Sequence, residues 1–266
     1  MLRDRALHLA QQTSSEGLGE ALAAGQEAAE GLNALVAELN QKLAHHSAPH
    51  VMETALREIR PLPLVSSFGA ESVALLHLAS MIDRDIPVIF IDTEMLFTET
   101  LVYQQEVAER LGLRNLRIIR SQDIAARDPS GQLHRTDPDA CCALRKTEPL
   151  QRALQGSNGW ITGRKRFHSA NRATLPFFEV EPESLRIKVN PLAHWRREDV
   201  ADYIAENRLP KHPLVARGYP SIGCAPCTSP VSEDEELRAR RWRGDEKDEC
   251  GIHFVDGKLV RTGAQI

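Results

Sequence analysis

The stretch that decides the fold is residues 62–81, Leu-Pro-Leu-Val-Ser-Ser-Phe-Gly-Ala-Glu-Ser-Val-Ala-Leu-Leu-His-Leu-Ala-Ser-Met. Its first part, Leu62–Ser67, is a short apolar run that predicts a buried strand, and Val73–Met81 predicts an apolar helix. Between them, Ser66–Ser72 forms a loop of small residues at the carboxyl end of the strand. This order of strand, loop and helix is typical of a parallel sheet with right-handed crossovers.

The same alternation continues toward the C-terminus. Short apolar runs predict further strands, separated by segments with helical spacing of apolar residues. The last helix is followed by Pro210, which cannot continue it. The fold class predicted is therefore α/β, a parallel, Rossmann-like sheet flanked by helices. The additional strands are Pro87–Asp92, Leu116–Ile119, Gly159–Thr162 and Leu185–Val189, and the additional helices are Phe97–Leu111 and Arg197–Asn207.

The segment before the first strand has a different pattern. Residues 1–58 are predicted to be helical, with leucines and a valine at helical spacing. This apolar stripe is a candidate dimer or partner face, and packing on the chain's own core is the simpler interpretation. The stripe consists of Leu32, Leu35, Val36, Leu39 and Leu43.

Composition limits the kinds of partner. The chain of 266 residues has a net charge of −4, which argues against bulk nucleic-acid binding. It contains no apolar run of transmembrane length. Residues 1–5 lead into polar, helix-forming sequence, with no apolar signal core. We expect a soluble, cytoplasmic protein with no membrane or nucleic-acid partner.

Two loops at predicted strand ends are candidates for binding a ligand, because ligands of parallel sheets sit at the carboxyl ends of strands. In the first loop, Ser66, Ser67 and Gly69 are small enough to let backbone N–H groups approach a phosphate near a helix N-terminus. It is not a Walker loop, since no Gly-Lys-Ser/Thr closes it. The second loop begins with Asp92 and Thr93.

Positive charge gathers in two places. Residues 163–168, Gly-Arg-Lys-Arg-Phe-His, follow a predicted strand, and Arg172 lies just beyond them. A second cluster surrounds Trp242 and includes Arg238 and Arg241, which share one face if this segment is helical. Either cluster can be a solvated face. In a chain of net negative charge, however, they favour an anionic small ligand bound by Arg164, Arg166, Arg238 and Arg241.

The five cysteines divide into two pairs and a single residue. Cys141-Cys142 and Cys224-Ala-Pro-Cys227 can hold one metal centre with four thiolates. Disulfides are disfavoured without a secretion signal. Zinc is disfavoured because adjacent cysteines do not easily chelate one small ion. An iron–sulfur cluster has separate iron corners and accommodates adjacent ligands. Buried cysteines acting as small hydrophobes would not explain the pairing.

Cys250 is the single cysteine. It lies between an acidic, charged run, residues 245–249, and Gly251, which predicts an exposed, mobile tail. A lone cysteine is often an inert packed residue, but an exposed one is a candidate nucleophile. The acidic neighbours would raise its thiol pKa, so activation must come from elsewhere, such as Lys247, His253 or a distant arginine.

Several motifs resemble the iron–sulfur-containing assimilatory adenylyl-sulfate (APS) reductases of the phosphoadenylyl-sulfate (PAPS) reductase family. The resemblance runs from about residue 60 to 255, and the first 50 residues have no matching motif. The motifs that carry it are Ser-Phe-Gly-Ala-Glu at 67–71, Ile-Asp-Thr at 91–93, Cys-Cys-Ala-Leu-Arg-Lys at 141–146, Thr-Gly-Arg-Lys-Arg at 162–166, Asn-Pro-Leu at 190–192, Gly-Tyr-Pro-Ser-Ile-Gly-Cys-Ala-Pro-Cys-Thr at 218–228 and Arg-Trp-Arg-Gly-Asp-Glu-Lys-Asp-Glu-Cys-Gly-Ile-His at 241–253.

The resemblance implies a [4Fe–4S] cluster on Cys141, Cys142, Cys224 and Cys227, with Cys250 as the nucleophile. In that scheme Cys250 attacks the sulfur of APS, AMP leaves, and thioredoxin (or glutaredoxin) releases sulfite from an enzyme thiosulfonate. The substrate-binding expectations extend to Lys146, which would link cluster and substrate charge, and to His253.

The resemblance also implies an organisation of the chain. We expect a helical arm at 1–58, an α/β nucleotide-binding and iron–sulfur domain of the adenine nucleotide alpha hydrolase-like type at 59–233, and a tail at 234–266 that carries Cys250. A homo-oligomer is possible in this family. Glu94 departs from the family, which often has glycine after Asp-Thr, and an acidic side chain there would repel a phosphosulfate unless it points away.

Three alternatives stay open at this point. PAPS is the near alternative substrate, although family members that take it usually lack the cluster. An ATP-pyrophosphatase-type enzyme would need a Ser-Gly-Gly-x-Asp-Ser loop, and residues 66–72 lack its second glycine and its aspartate. A non-catalytic iron–sulfur sensor would not need Cys250 beside arginines.

Overall fold

The computed structural model of the chain describes residues 15–168 and 172–231, and for 15–24 the backbone alone. The proposed tail at 234–266 lies outside these residues. In the described part, the strands form one six-stranded sheet in the order β3-β2-β1-β4-β6-β5. All neighbouring strands run parallel except β5 and β6, which are antiparallel. The strands are β1 (Leu64–Val65), β2 (Val88–Ile91), β3 (Leu116–Ile119), β4 (Gly159–Ile161), β5 (Phe178–Glu181) and β6 (Arg186–Val189).

The five predicted strands are confirmed, and one strand was not predicted. β5 forms the edge of the sheet and pairs with β6 through a tight connection in which Leu185 has a φ of 49°. Two of its four residues are glutamates, Glu179 and Glu181. The segment has the alternation of apolar and charged residues that is typical of a strand, as β6 does, and it is a signal that the sequence analysis missed.

The sheet is covered on both faces, as its apolar strands require. Alternate residues of β2 enter different cores: Val88 and Phe90 join the main core, whereas Ile89 and Ile91 join a smaller one with Trp160. This is the period of two expected of a strand. The helices that pack around the sheet are α1 (Ser15–Leu43), α2 (Ala48–Glu58), α3 (Ser72–Ile82), α4 (Thr98–Leu111), α5 (Ile124–Arg127), α6 (Leu133–Thr136), α7 (Pro138–Cys142), α8 (Glu148–Ala153) and α9 (Arg197–Glu206).

The apolar stripe of α1 packs on the chain's own core. Val36, Leu39 and Leu43 are buried in the main core. Asn40 also binds the edge strand: its Nδ2 donates to the carbonyl of Phe178 at 2.9 Å, and the Phe178 N–H donates to its Oδ1 at 3.0 Å. These bonds cover backbone groups that an edge strand would otherwise leave exposed. The simpler of the two sequence interpretations is therefore confirmed for this stripe.

Strands β1 and β4 lie side by side at the centre of the sheet, although they are far apart in sequence. Gly159 begins β4, and a side chain there would collide with the carbonyl oxygen of Ile187 on β6. Glycine is needed for this close approach. Because β1 runs parallel to both β2 and β4, the loops after these three strands meet at the same edge of the sheet. No helix among the described residues is long and apolar enough to cross a membrane.

Candidate active site

The loop after β1 has a turn that its own serines hold. The Phe68 N–H donates to Ser66 Oγ at 3.1 Å, and the Gly69 N–H donates to Ser72 Oγ at 3.0 Å. Phe68 has a φ of 49° and is buried in the main core, which anchors the loop. The loop opens α3, so its backbone N–H groups stand at a helix N-terminus, where an anion is favoured.

The loop after β2 turns its two predicted residues in different directions. Thr93 lines the same cavity as the serine loop. The buried Asp92 carboxylate instead accepts from Arg120 Nε at 2.8 Å and from the Glu94 N–H at 2.9 Å, and Asp92 does not line the cavity. The prediction that Asp92 binds the substrate is therefore corrected. Its carboxylate is held by Arg120 and the Glu94 N–H, and it stabilises the loop from the side away from the cavity. Glu94 has a φ of 58°, a region that favours glycine, and its exposed side chain does not line the cavity either.

The segment after β4 supplies basic side chains. Arg164 lines the cavity, and its guanidinium donates to Glu179 Oε2 at 2.9 Å and to Asn190 Oδ1 at 3.2 Å. Arg166, in contrast, donates to the carbonyl of Leu175 at 2.9 Å and does not line the cavity. The extended segment ends before Arg166, which begins a 3-10 turn, Arg166–His168. This turn directs Arg166 away from the cavity, so the prediction that it faces the same cavity as Arg164 is wrong.

A connected group of four side chains lies at one side of the cavity. Lys165 Nζ donates to Glu71 Oε2 at 2.8 Å, and His168 Nε2 lies 3.0 Å from the same oxygen. Arg172 Nη1 lies 3.3 Å from His168 Nδ1. Because arginine can only donate, Nδ1 is the acceptor, so the proton of the neutral ring sits on Nε2 and points at Glu71.

Electrostatics hold this group in one charge state. Burial alone would raise the pKa of Glu71, but the hydrogen bond from His168 and the charge of Lys165 outweigh it and lower the pKa to about 2. Burial lowers the pKa of His168 to about 4, helped by the charges of Lys165 and Arg172 and against the effect of Glu71. At neutral pH, Glu71 is therefore ionised and His168 is neutral.

These loops enclose a cavity of about 260 Å³, which we call the central cavity. Its size is close to the lower end of the range of about 300–1,000 Å³ for small-molecule sites. Residues 220–224 close one side of it. The residues that line it include Ser66, Ser67, Gly69, Glu71, Thr93, Lys146, Trp160, Thr162, Arg164, Lys165, His168, Arg172 and Cys224.

The four paired cysteines meet beside the central cavity, and we call them the cysteine cage. Cys141 and Cys142 end helix α7, whose N-cap is the side chain of Asp137, and a π-helical turn, Ala143–Thr147, follows. Such turns frequently occur at functional sites. Cys141, Cys142, Cys224 and Cys227 line one small cavity together with Met95, His134, Pro138, Arg145 and Lys146.

The second cysteine pair is fastened to the loop after β2. The Ala225 N–H donates to the carbonyl of Met95 at 2.7 Å, and Thr93 Oγ1 lies 3.2 Å from Cys224 Sγ. Thr93 and Cys224 also line the central cavity, as does Lys146. The cage and the central cavity therefore share a wall.

The cysteines of the cage are free thiols. Burial, with a smaller contribution from the neighbouring thiols, raises the pKa of Cys141 and of Cys227 to about 11. Four thiolates in this place thus require a compensating positive centre. Within the part of the chain that the structure describes, no three His, Cys, Asp or Glu side chains are arranged to hold a single metal ion.

Arg145 connects the cage to the sheet and was not predicted. Its guanidinium is buried, donating to the carbonyl of Thr93 and to Asp128 Oδ2, both at 2.8 Å. Its Nε is buried and has no hydrogen-bond partner among the described residues. The position of Arg145 in the Cys-Cys-Ala-Leu-Arg-Lys motif could have marked it as a residue of the site. Its pairing with Asp128 could not be read from the sequence.

Comparison with known proteins agrees with this geometry. The phosphoadenosine phosphosulfate reductase domain matches residues 61–230, more than half of the chain. The chain belongs to this family. A member from Mesorhizobium japonicum, described as adenosine 5'-phosphosulfate reductase, is 44% identical over 244 residues, which cover 90% of this chain and 95% of the relative. A Chelativorans protein with the same description is 46% identical over 233 residues, covering 85% and 94%.

A solved member of the reductase family has the same fold. The phosphoadenylyl-sulfate (PAPS) reductase of Candida auris, in complex with phosphate, superposes with a TM-score of 0.65 at 31% identity. The superposition covers 73% of this chain and 96% of that one. Four residues of the predicted site, Arg238, Arg241, Cys250 and His253, lie outside the described residues.

Proposed function

We propose that this chain is an adenylyl-sulfate reductase that converts APS to sulfite and AMP, with thioredoxin or glutaredoxin as the electron donor, in sulfate assimilation and cysteine biosynthesis. The observation that carries the proposal is the shared wall between the cysteine cage and the central cavity. Members of the family that carry the APS reductase description, at 44% and 46% identity, support the same substrate.

The central cavity suits a nucleotide with an anionic group. The serine loop offers backbone N–H groups at the N-terminus of α3, and Lys146 and Arg164 add positive charge. Trp160 and Leu192 supply apolar wall for the remainder of the ligand. We assign Ser66, Ser67, Gly69, Thr93, Lys146 and Arg164 to substrate binding, with Arg238, Arg241 and His253 contributed from beyond residue 231.

The cage fits a [4Fe–4S] cluster on Cys141, Cys142, Cys224 and Cys227. Adjacent cysteines suit a centre with separate iron corners. Arg145, whose buried Nε has no hydrogen-bond partner among the described residues, lines the same space. When bound, the cluster would supply a fixed local charge beside the substrate and the folding energy of tying two distant segments together. Lys146, which lines both spaces, would hold its ammonium between this charge and the phosphosulfate.

The reaction itself is assigned to Cys250. Its thiolate attacks the sulfur of APS, a sulfur–sulfur bond forms, and AMP leaves with the electron pair of the broken sulfur–oxygen bond. A thiolate of reduced thioredoxin then attacks Cys250 Sγ and sulfite leaves with its electron pair. The second thioredoxin thiol resolves the mixed disulfide and regenerates Cys250. Two electrons pass from the dithiol to sulfur.

The test is sulfite production from APS and from PAPS at equal concentration, with reduced thioredoxin present. We expect APS to be the better substrate. The description of the Candida auris relative makes PAPS the second candidate, and a preference for PAPS would replace the first.

Incubation with APS and no thiol should also leave one added SO3, about 80 Da, on Cys250 by intact mass spectrometry, and thioredoxin should remove it. Sulfite release from an unmodified protein would point to direct attack by the external thiol.

A further inference from the structure

A carboxylate stands in a cavity otherwise suited to an anion. Of the described residues that line the central cavity, Glu71 is the one acidic side chain, among the basic residues Lys146, Arg164, Lys165 and Arg172. It follows the serine loop directly and its side chain is about a quarter exposed, at 25%. A residue needed only to neutralise Lys165 would not have to face the ligand space.

The contacts of Glu71 leave one oxygen for a ligand. Lys165 Nζ and the Nε2–H of His168 both bind Oε2, at 2.8 and 3.0 Å. No hydrogen bond from the described residues reaches Oε1. Arg172 fixes the imidazole from its other side, so the carboxylate cannot rotate without breaking two bonds. Glu71 therefore presents a fixed, negatively charged acceptor to the cavity.

The fixed, negatively charged carboxylate of Glu71 favours some parts of a nucleotide substrate over others as its neighbour. Because like charges repel, we expect the phosphosulfate to lie away from Glu71 and toward Lys146, which lines the wall shared with the cysteine cage. The part of an adenylyl nucleotide that can donate hydrogen bonds to a carboxylate is the ribose with its hydroxyls. In dinucleotide-binding sheets, an acidic residue near a strand end accepts from a ribose hydroxyl and disfavours a phosphate on it.

We propose that Glu71 is a specificity residue that accepts a hydrogen bond from a ribose hydroxyl of APS and excludes a nucleotide carrying a 3'-phosphate. This rests on the proposed function for the identity of the substrate. Like charges brought together in a binding site disfavour binding, which would set a preference between the two nucleotides.

The experiment compares Glu71→Gln with a matched control, Glu179→Gln. Glutamine keeps the shape and an acceptor oxygen but removes the charge. Glu179 is also paired with a cavity arginine, Arg164, but does not itself line the cavity. Glu71→Asp keeps the charge and serves as the second variant if Glu71→Gln folds poorly. The measurements are kcat/KM for APS and PAPS, and Kd for AMP and adenosine 3',5'-bisphosphate.

In Glu71→Gln, we expect the preference for APS over PAPS, and for AMP over the bisphosphate, to fall by at least about tenfold. Both preferences should persist in Glu71→Asp and in Glu179→Gln. An unchanged preference with both ligands weakened equally would overturn the proposal, and would leave Glu71 as a support for Lys165 and His168. Because Kd needs neither Cys250 nor thioredoxin, the binding arm tests Glu71 even if the enzyme makes no sulfite.

Discussion

The cysteine cage and the central cavity share a wall but differ in where their charge comes from. In the cage, burial raises the pKa of Cys141 and of Cys227 to about 11, so these two thiols stay neutral by themselves. In the central cavity, Glu71 is already ionised beside Lys165. In the proposed enzyme, the cage would therefore need its cluster to hold charge, whereas the charges of the central cavity are in place before a ligand binds.

Replacing Cys250 separates the two regions most sharply. Cys250→Ser should abolish sulfite release, because the nucleophile is lost, while the visible absorbance of the cluster and the binding of AMP are retained. Activity, absorbance and AMP affinity are measured on the same preparation. If absorbance disappears in this variant, Cys250 is a ligand of the cluster and the assignment of the cysteines fails.

Replacing one cysteine of the cage should remove the cluster and leave the charged side chains of the central cavity in place. Cys142→Ala should lose iron and lower the melting temperature, since a centre that ties two distant segments contributes folding energy. Iron and acid-labile sulfide are measured, with Cys250→Ser as the variant that retains them. Iron and sulfide that stay near about four per chain would exclude adjacent ligation.

Removing a positively charged side chain should weaken substrate binding and leave the cluster intact. Arg164→Ala and Arg241→Ala should each reduce kcat/KM for APS at least about tenfold, because a charge-assisted contact contributes about 1.5–3 kcal/mol. Iron content should not change. Arg114→Ala, which removes an exposed ion pair with Asp85, is the control and should have little effect. Unaltered kcat/KM in both cavity variants would leave the anion site unlocated.

The smallest expected effect is on the pH dependence of stability. The folded-state pKa of His168 is about 4, below its ordinary value of 6.5, so the unfolded chain binds the proton first as pH falls. The free energy of unfolding should therefore decrease between about pH 6.5 and 4. The contribution of Glu71 is complete above its ordinary pKa of 4.5 and is lost only as pH falls toward about 2.

His168→Gln keeps a donor for Glu71 and should flatten part of the decrease, measured by thermal unfolding across this range. The control is His50→Gln, at an exposed histidine of α2. An equal slope in both variants would mean that His168 does not carry the dependence.

The cage was predictable residue by residue, and the central cavity was not. Cysteines are rare, so two pairs in one chain indicate one centre wherever the fold takes them. Basic residues are common, and a run such as residues 163–168 does not tell which side chains face the ligand. Arg164 lines the central cavity, whereas Arg166 donates to the carbonyl of Leu175 and does not line it.

The missed contacts all join segments that are distant in sequence. Glu71 binds Lys165, Asp92 binds Arg120, and Arg145 binds Asp128. Each pairing depends on which strand ends lie next to each other in the sheet. The order of the strands cannot be predicted from a local sequence pattern. For the same reason the strands were predicted well, because apolar periodicity is local, while the direction of charged side chains at their ends was not.

The order of the central strands has a consequence for how the protein folds. Leu64 on β1 lies against Ile161 on β4, so the middle of the sheet joins the two halves of the described chain. Closing so long a loop is entropically costly, and such non-local contacts form slowly. Neither the central cavity nor the cysteine cage exists before this closure. A chain still emerging during synthesis therefore has no binding site until residues through Cys227 are available, which makes the site one of the last parts of the molecule to form.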